Sequence, residues 1–378
     1  MRRILVIVLM VIMVIGFEKQ NLIYGSETTK NNIFDEEEST IAKYAESFLS
    51  KVYPDLTLKI VKSQKIYNRN DELNGYCYDI ENHGVDYGYI IVSRMGDMIQ
   101  VSEYAVQENI SNPFEKVYSL TKKQNSNLKY YSENPFDFCV LDVDEDTAYE
   151  YNNGYKIINN YSDEVYLDRK NEPITANKEQ ELLRSLDGFS VISDSYAGTV
   201  TSSNMIPYAN SIGFYEGSFV TYIGADYSCG VLAGCNIMKY YRCIGYTNIP
   251  YSFSVLYNAL WNLMSPDSNY TVNSAVAVQK VRDSINYFGY NCSYTPFIVN
   301  LYYDYKYAIN YGSPIYIAYE TWFGNKYSGH AVVAVGYTQT TQNKYLKVAD
   351  GWNTYLRYLT FDGYDYDVFC GYAFAVTP

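Results

Sequence analysis

The order of hydrophobic patterns in the second half of the chain limits its fold more than any other feature. Beyond residue 195, three helical patterns come first: GVLAGCNIMKYYRCIG, SFSVLYNALWNLM and SAVAVQKVRDSINYFG. Strand patterns then follow: SPIYIAYETW, GHAVVAVGYT, KYLKVADGW and CGYAFAV. Helices followed by antiparallel strands predict an α+β domain, which we assign to residues 196–378.

The N-terminal part predicts a second, smaller α+β domain within residues 26–115. TIAKYAESFLSKVYP has a helical pattern that Pro54 ends. Alternating segments follow, and YGYIIVSRMGDMIQVSEYAV is typical of a strand, a turn at residues 94–97 and a returning strand. A helix followed by an antiparallel sheet is therefore expected here.

Residues 116–195 separate these two domains and are rich in Asn, Asp, Glu and Lys. Their periodicity is weak, apart from a helical pattern in NKEQELLRSL. We interpret this stretch as a polar linker or a partly ordered extension.

The first residues have the pattern of a signal peptide. MRRILVIVLMVIMVIG carries two arginines before an unbroken apolar run over residues 4–16. A helix of that length reaches only about 20 Å, short of the roughly 30 Å hydrocarbon core of a membrane. We therefore assign residues 1–25 to a cleaved signal peptide and expect an exported protein.

Charge and cysteine content exclude several classes of function. The chain has 42 acidic and 29 basic residues and a net charge of −13, which disfavours a nucleic-acid partner. Its seven cysteines are an odd number and include no CxxC pair, so neither a disulfide scaffold nor a zinc site is indicated. We expect no metal and no cofactor. At least one thiol stays unpaired, and the simplest role for the cysteines is as small core residues.

Cys229 is the strongest candidate for a catalytic residue. In SCGVLAGCNIMKYY it stands at the start of a helical pattern, where unpaired backbone N–H groups stabilise a thiolate. The small neighbours leave room for a substrate carbonyl, and Gly230 with the other N–H groups of the helix start is a candidate oxyanion site. Cys235 falls inside the helix and is expected to pack in the core.

The chain has only two histidines, His83 and His330. His83 lies in a polar loop pattern, whereas His330 leads the apolar strand GHAVVAVGY and is the candidate general base. Asp350 follows the next strand, where its carboxylate is expected to accept the imidazole N–H. Trp352, two residues on, is placed to shield that bond from water. Taken alone, His330 is more often a core or turn histidine, and Asp350 in DGW is more often a turn residue.

Together these segments resemble the streptopain family of papain-like bacterial cysteine peptidases. In that family the catalytic cysteine precedes Ile-Met-Lys-Tyr, and IMKY stands in the same register from Cys229 here. GHAVVAVGY is similar to the histidine strand of papain-like enzymes, and ADGWNT resembles the Asn/Asp-then-Trp segment that follows it. YGYIIVSRMGDMIQVSEYA resembles a strand of the streptopain-type propeptide.

The resemblance implies a papain-like catalytic domain preceded by an α+β propeptide. The implied activity is hydrolysis of peptide bonds by a Cys229–His330–Asp350 triad in a secreted bacterial endopeptidase, free or associated with the cell surface. The substrate would be a protein or peptide, and the propeptide would inhibit the zymogen until it is cut off. We expect a monomer.

The sequence departs from the family pattern at two points. Papain-like enzymes place an oxyanion-hole Gln upstream of the cysteine, but no Gln lies between Gln180 and Cys229, and we assign that role to Asn210. Asp350 stands where streptopain-type enzymes carry Asn. A carboxylate at this position also occurs in transglutaminase-like relatives. Two alternatives stay open: a cell-wall amide hydrolase or acyltransferase with the same triad, and a non-catalytic surface-binding protein on a decayed peptidase fold.

Overall fold

The computed structural model of this chain describes most of the residues beyond position 25. The described ranges are 26–68, 71–95, 98–119, 127–132, 134–151, 155–159, 198–217, 228–266, 273–297, 300–323, 326–362 and 368–378. The predicted signal peptide therefore lies outside the described residues, as does the helical pattern in NKEQELLRSL.

The N-terminal unit is a helix on an antiparallel sheet, as the sequence predicts. Helix α1 (Ser26–Val52) begins earlier than expected and ends just before Pro54. The next four strands are β1 (Leu58–Tyr67), β2 (Leu73–Asn82), β3 (Val85–Met95) and β4 (Met98–Val106). Phe48 of α1 packs edge-on against Tyr104 of the sheet at 5.2 Å between ring centroids. That contact lies in the centre of a buried cluster which joins helix to sheet.

Part of the segment expected to be a linker is folded. The short helix α2 (Pro113–Tyr118) is followed by β5 (Leu128–Ser132), β6 (Phe138–Asp142), β7 (Thr147–Tyr151) and β8 (Tyr155–Asn159). Every residue of β6 is buried. These elements lie in the stretch interpreted as a polar linker or a partly ordered extension. Composition does not reveal them, because a short strand covered on both faces contributes few apolar residues to a long polar stretch.

The C-terminal unit follows the predicted order of helices and strands. Its helices are α3 (Ala209–Ile212), α4 (Cys229–Cys243), α5 (Phe253–Met264), α6 (Ser274–Tyr287) and α7 (Tyr302–Asn310). Its strands are β9 (Val200–Met205), β10 (Asn291–Pro296), β11 (Ile315–Phe323), β12 (Lys326–Thr340), β13 (Lys344–Ala349), β14 (Arg357–Thr360) and β15 (Val368–Thr377). The chain as a whole is α+β.

One sheet runs through both units. The strand order is β10-β15-β11-β12-β13-β14-β4-β3-β2-β1-β5-β6-β7-β8, and β9 pairs with β12. The junction is the antiparallel pair of β14 and β4, which places Tyr358 opposite Tyr104 and Leu359 opposite Glu103. The N-terminal unit is thus joined to the C-terminal unit by backbone hydrogen bonding as well as by side-chain packing.

Helix α4 lies at the centre of the C-terminal unit. Its residues 230–241 are all buried, which makes it an internal helix, not an amphipathic surface one. A side chain at Gly234 would come within 2.7 Å of Val281 on α6 and 3.0 Å of Leu260 on α5, so the glycine permits close packing of three helices. Among the described residues, no helix is long and apolar enough to span a membrane.

Candidate active site

The candidate nucleophile stands at the first residue of the buried helix α4. Cys229 is half-buried, and its sulfur lies near three backbone N–H groups: its own, that of Gly230, and that of Ala331 on β12. Burial raises the pKa of the Cys229 thiol, and the three N–H groups partly offset that rise. Because Ala331 follows His330 directly, the fold brings the predicted nucleophile to the strand that carries the predicted base.

His330 is buried, with 4% of its surface exposed, and pairs with Tyr319 of β11. Its Nε2 lies 2.8 Å from the backbone oxygen of Asp350. A carbonyl oxygen can only accept, so Nε2 carries the proton and Nδ1 is the basic nitrogen of the neutral ring. Burial lowers the pKa of His330 to about 4, although the Asp350 carbonyl and carboxylate oppose the change.

Asp350 contacts His330 in a different way from the one expected. The sequence predicts its carboxylate as the acceptor, but the structure gives that place to its backbone carbonyl. Carboxylate Oδ1 accepts from the backbone N–H groups of Trp352 at 2.8 Å and Asn353 at 3.0 Å. Oδ2 accepts from the Asn353 amide at 2.8 Å and lies 2.7 Å from Nε of Arg357. The carboxylate is turned toward its own loop and a buried arginine, which explains the difference.

Gly351 allows the loop after β13 to approach helix α4. Its φ of +77° is in the left-handed region that favours glycine, and a Cβ there would come within 2.8 Å of Leu232. Its carbonyl accepts from Gly217 N–H at 2.9 Å, which ties the loop to the segment that precedes α4. Gly351 therefore holds the Asp350 carbonyl close to the start of helix α4, which carries the candidate nucleophile.

Two aromatic rings cover the imidazole. Trp352, as expected, lies beside His330, with 4.3 Å between ring centroids. The second ring is Phe136, 4.8 Å from His330 and 5.8 Å from Trp352. Phe136 belongs to the segment expected to be a linker, and the sequence analysis missed it. The available signal was the aromatic and apolar run FDFCVLD inside a polar stretch.

The remaining predicted residues fall in different surroundings. Asn210, the predicted oxyanion-hole residue, is exposed, and its Oδ1 accepts from Lys347 Nζ at 2.7 Å. Gly230 is buried in the first turn of α4. Cys235 is fully buried, and burial raises the pKa of its thiol. His83 is exposed and has a positive φ of 53° between β2 and β3. The role assigned to Asn210 stays a prediction.

A buried amide positions the segment that precedes helix α4. Asn236 lies two turns into α4, and its Oδ1 accepts from the backbone N–H of Tyr215 at 2.7 Å while its Nδ2 donates to the Tyr215 carbonyl at 3.2 Å. Asn236 is not among the residues predicted from the sequence. The available signal is that it is the first polar side chain after seven small or apolar residues of α4.

None of the seven cysteines, all of which lie in the described ranges, forms a disulfide. Within the described ranges, no cluster of three or more His, Cys, Asp or Glu side chains is arranged to hold a metal ion. Neither a scan against models of protein families nor a search of curated proteins found a match to this chain.

Proposed function

We propose that the chain is the precursor of a secreted, papain-like cysteine endopeptidase. One observation carries the proposal: Cys229 begins helix α4, which packs against β12, the strand that carries His330, and the Nε2–H of His330 is held by the Asp350 carbonyl. A nucleophile, a base in a fixed tautomer and an orienting acceptor are the three parts that thiol hydrolysis requires.

In the proposed reaction, Nδ1 of His330 takes the thiol proton of Cys229, and the thiolate attacks the carbonyl carbon of a peptide bond. Backbone N–H groups at the start of α4 stabilise the oxyanion of the tetrahedral intermediate. The C–N bond then breaks as His330 gives its proton to the leaving amine, which leaves a thioester on Cys229. Water activated by His330 hydrolyses the thioester and restores the thiol.

The protonation states of Cys229 and His330 support the proposal that the intact chain is an inactive precursor. The raised thiol pKa and the lowered imidazole pKa keep both Cys229 and His330 uncharged at neutral pH. A reactive pair needs the thiolate, so this form has a weak nucleophile. Phe136 contributes to the burial that lowers the pKa of His330, and it comes from the part of the chain that maturation is proposed to remove.

The first test replaces the two cysteines of helix α4. Cys229→Ser should abolish casein hydrolysis and labelling by a thiol-directed epoxide, with the fold unchanged because the exchange is nearly isosteric. Cys235→Ser should keep activity at some cost in stability, since a hydroxyl is buried at a fully buried position. Exchanged outcomes would make the assignment of the nucleophile wrong.

A second test uses the two histidines. His330→Ala should remove hydrolysis by the mature form, whereas His83→Ala should leave maturation and activity unchanged, since His83 is exposed and distant in sequence from the site. Full activity of His330→Ala would exclude a Cys–His mechanism. Lysis of murein or incorporation of amines in place of casein cleavage would instead favour a cell-wall amide hydrolase or an acyltransferase with the same triad.

A further inference from the structure

Arg357, at the start of β14, lies where three separate parts of the chain meet. It is completely buried, and its guanidinium reaches a different segment with each nitrogen. Nε lies 2.7 Å from Asp350 Oδ2, Nη1 lies 2.6 Å from Glu103 Oε1, and Nη2 donates to the Pro135 carbonyl at 2.9 Å. Buried arginines rarely occur without such compensation. Nη1 and Nη2 thus form hydrogen bonds with β4 and with the segment before β6, whereas Nε contacts the Asp350 carboxylate in the loop after β13 as an ion pair without hydrogen-bond geometry.

Glu103 is the partner that the N-terminal unit supplies. It lies on β4, is 1% exposed, and accepts from the Tyr89 hydroxyl in addition to Arg357. The pKa of Glu103 is raised because burial disfavours its carboxylate, and the contacts with Arg357 and Tyr89 offset only part of that rise. Burial alone would lower the pKa of Arg357, but the carboxylates of Glu103 and Asp350 outweigh it and raise that pKa well above its usual value. The guanidinium therefore stays charged in the interior.

The position of Arg357 accounts for the unexpected geometry at Asp350. Its guanidinium holds the Asp350 carboxylate on the side of β14, which leaves the backbone carbonyl of Asp350 facing His330 Nε2. The guanidinium is planar and rigid, so the hydrogen bond of Nη1 to Glu103 fixes the position of the charge that contacts the Asp350 carboxylate. The chain of contacts runs from Glu103 through Arg357 and Asp350 to the imidazole.

We propose that Arg357 is a positioning residue of the candidate active site and that Glu103 of the N-terminal unit orients it. The inference rests on the proposed function in so far as it assigns Arg357 a role in catalysis. The effect of Arg357 on the His330 tautomer can be measured without any enzymatic activity. The N-terminal unit then fixes the loop that selects the tautomer of the base, while Phe136 in the segment after that unit covers His330.

The test is nitrogen NMR of the histidine rings in full-length protein labelled with ¹⁵N-histidine. The Cys229→Ser background keeps the chain intact, and the two histidines give two ring systems that His83→Asn assigns. The parent protein should show His330 as a single tautomer with the proton on Nε2. Glu103→Gln should convert that pattern to a mixture of the two tautomers, and Arg357→Lys, which keeps the charge but not the planar fork, should do the same.

The matched control is Asp142→Asn, which neutralises another buried carboxylate of the N-terminal part. Asp142 is 1% exposed, like Glu103, but accepts from backbone N–H groups of its own turn at residues 144 and 145. It should leave the His330 tautomer unchanged. A single Nε2–H tautomer in folded Glu103→Gln would overturn the proposal, as would an equal mixture in Asp142→Asn.

Folding of each variant is checked by circular dichroism. If Glu103→Gln does not fold, Tyr89→Phe removes only a hydroxyl that donates to Glu103, and it should give a smaller shift in the same direction. An unchanged tautomer in both Tyr89→Phe and Arg357→Lys would then overturn the proposal. A failed proposed function gives a different result: no epoxide labelling of Cys229 in the mature protein, while the tautomer still responds to Glu103→Gln.

Discussion

At the scale of single residues, burial sets the chemistry of His330. An imidazole packed between Trp352 and Phe136 has little water to solvate its charge, so its neutral form is favoured in the folded chain. In the unfolded chain the same ring titrates at its ordinary pKa. The difference links the stability of the protein to pH.

We expect the intact protein to lose stability as the pH falls from 6.5 to 4. In this range the unfolded chain binds a proton at His330 and the folded chain does not, because the folded pKa is about 4. The pKa difference corresponds to at most about 3 kcal/mol in the free energy of unfolding. Urea unfolding of Cys229→Ser at several pH values measures it, and His330→Gln in that background should lack this component. Parallel pH curves for the two proteins would contradict the prediction.

Sequence patterns were informative about which residues lie at the site and less so about how they act. Cys229 and His330 are singled out by a helix start and by the head of a strand, which are local signals. Asp350 was also singled out, but its carboxylate faces Arg357, whose other partner Glu103 lies 254 positions earlier in the chain. Long-range ion pairs of this kind leave no local pattern, so the sequence does not indicate that the backbone carbonyl of Asp350, and not its carboxylate, contacts His330.

At the scale of helices and strands, periodicity predicted the long elements and missed the short ones. The helices α4 to α6 and the strands β11, β12, β13 and β15 appear where the patterns indicate. The strands β5 to β8 have only five residues each, and their polar surroundings conceal them. In a long element the hydrophobic pattern stays recognisable even where single residues depart from it. Whether a short segment forms a strand depends mainly on the neighbouring elements that cover it, and its own sequence does not show them.

Phe136, next to strand β6, provides a test of the cover over His330. Phe136→Ala should raise the pKa of His330 toward its usual value and speed alkylation of Cys229 by iodoacetamide at pH 7. The loss of a buried ring should also cost roughly 3–5 kcal/mol in the free energy of unfolding. The rate of alkylation is followed by mass spectrometry.

The control for this test is Phe138→Ala. Phe138 is 1% exposed and contacts Trp352 at 6.5 Å between ring centroids, so its loss should cost similar stability while Phe136 still covers His330. Equal alkylation rates in the two folded variants would mean that general loosening, not exposure of the imidazole, controls the thiol.

At the scale of the whole molecule, the predicted propeptide and the predicted catalytic domain are parts of one sheet and one core. The largest buried cluster contains residues from both, including Phe114 and Phe138 from the N-terminal half and Leu232 from α4. Lys116 of α2 also donates to the Trp352 carbonyl beside the site. Removal of the N-terminal part would therefore expose apolar surface and change the site directly.

We expect wild-type protein to mature by its own activity to a product of about 20 kDa, from a chain of 43.5 kDa. The sequence predicts a start between residues 185 and 205, most of which lies outside the described residues. Strand β9 pairs with β12 from Val200 onward, and cleavage inside β9 would break the backbone hydrogen bonds between the two strands. We therefore expect the new N-terminus in the part of this range that precedes β9. Electrophoresis and N-terminal sequencing locate the new end.

The matched protein is Cys229→Ser, which should keep its full length apart from the signal peptide. Residues 38–159 added separately should inhibit the mature form, since they carry both the pairing strand β4 and Phe136. A fully active enzyme that retains the N-terminal part would make that part an accessory domain.

The pairing of β14 with β4 has one more consequence. While the two units are joined, β14 is an interior strand, but departure of the N-terminal unit would turn it into an edge with unpaired backbone groups. Such an edge is a template for any extended chain, including another copy of the same protein. Light scattering of the matured enzyme should therefore rise with concentration more steeply than that of its precursor. The proposed propeptide would then also act as an intramolecular chaperone against aggregation.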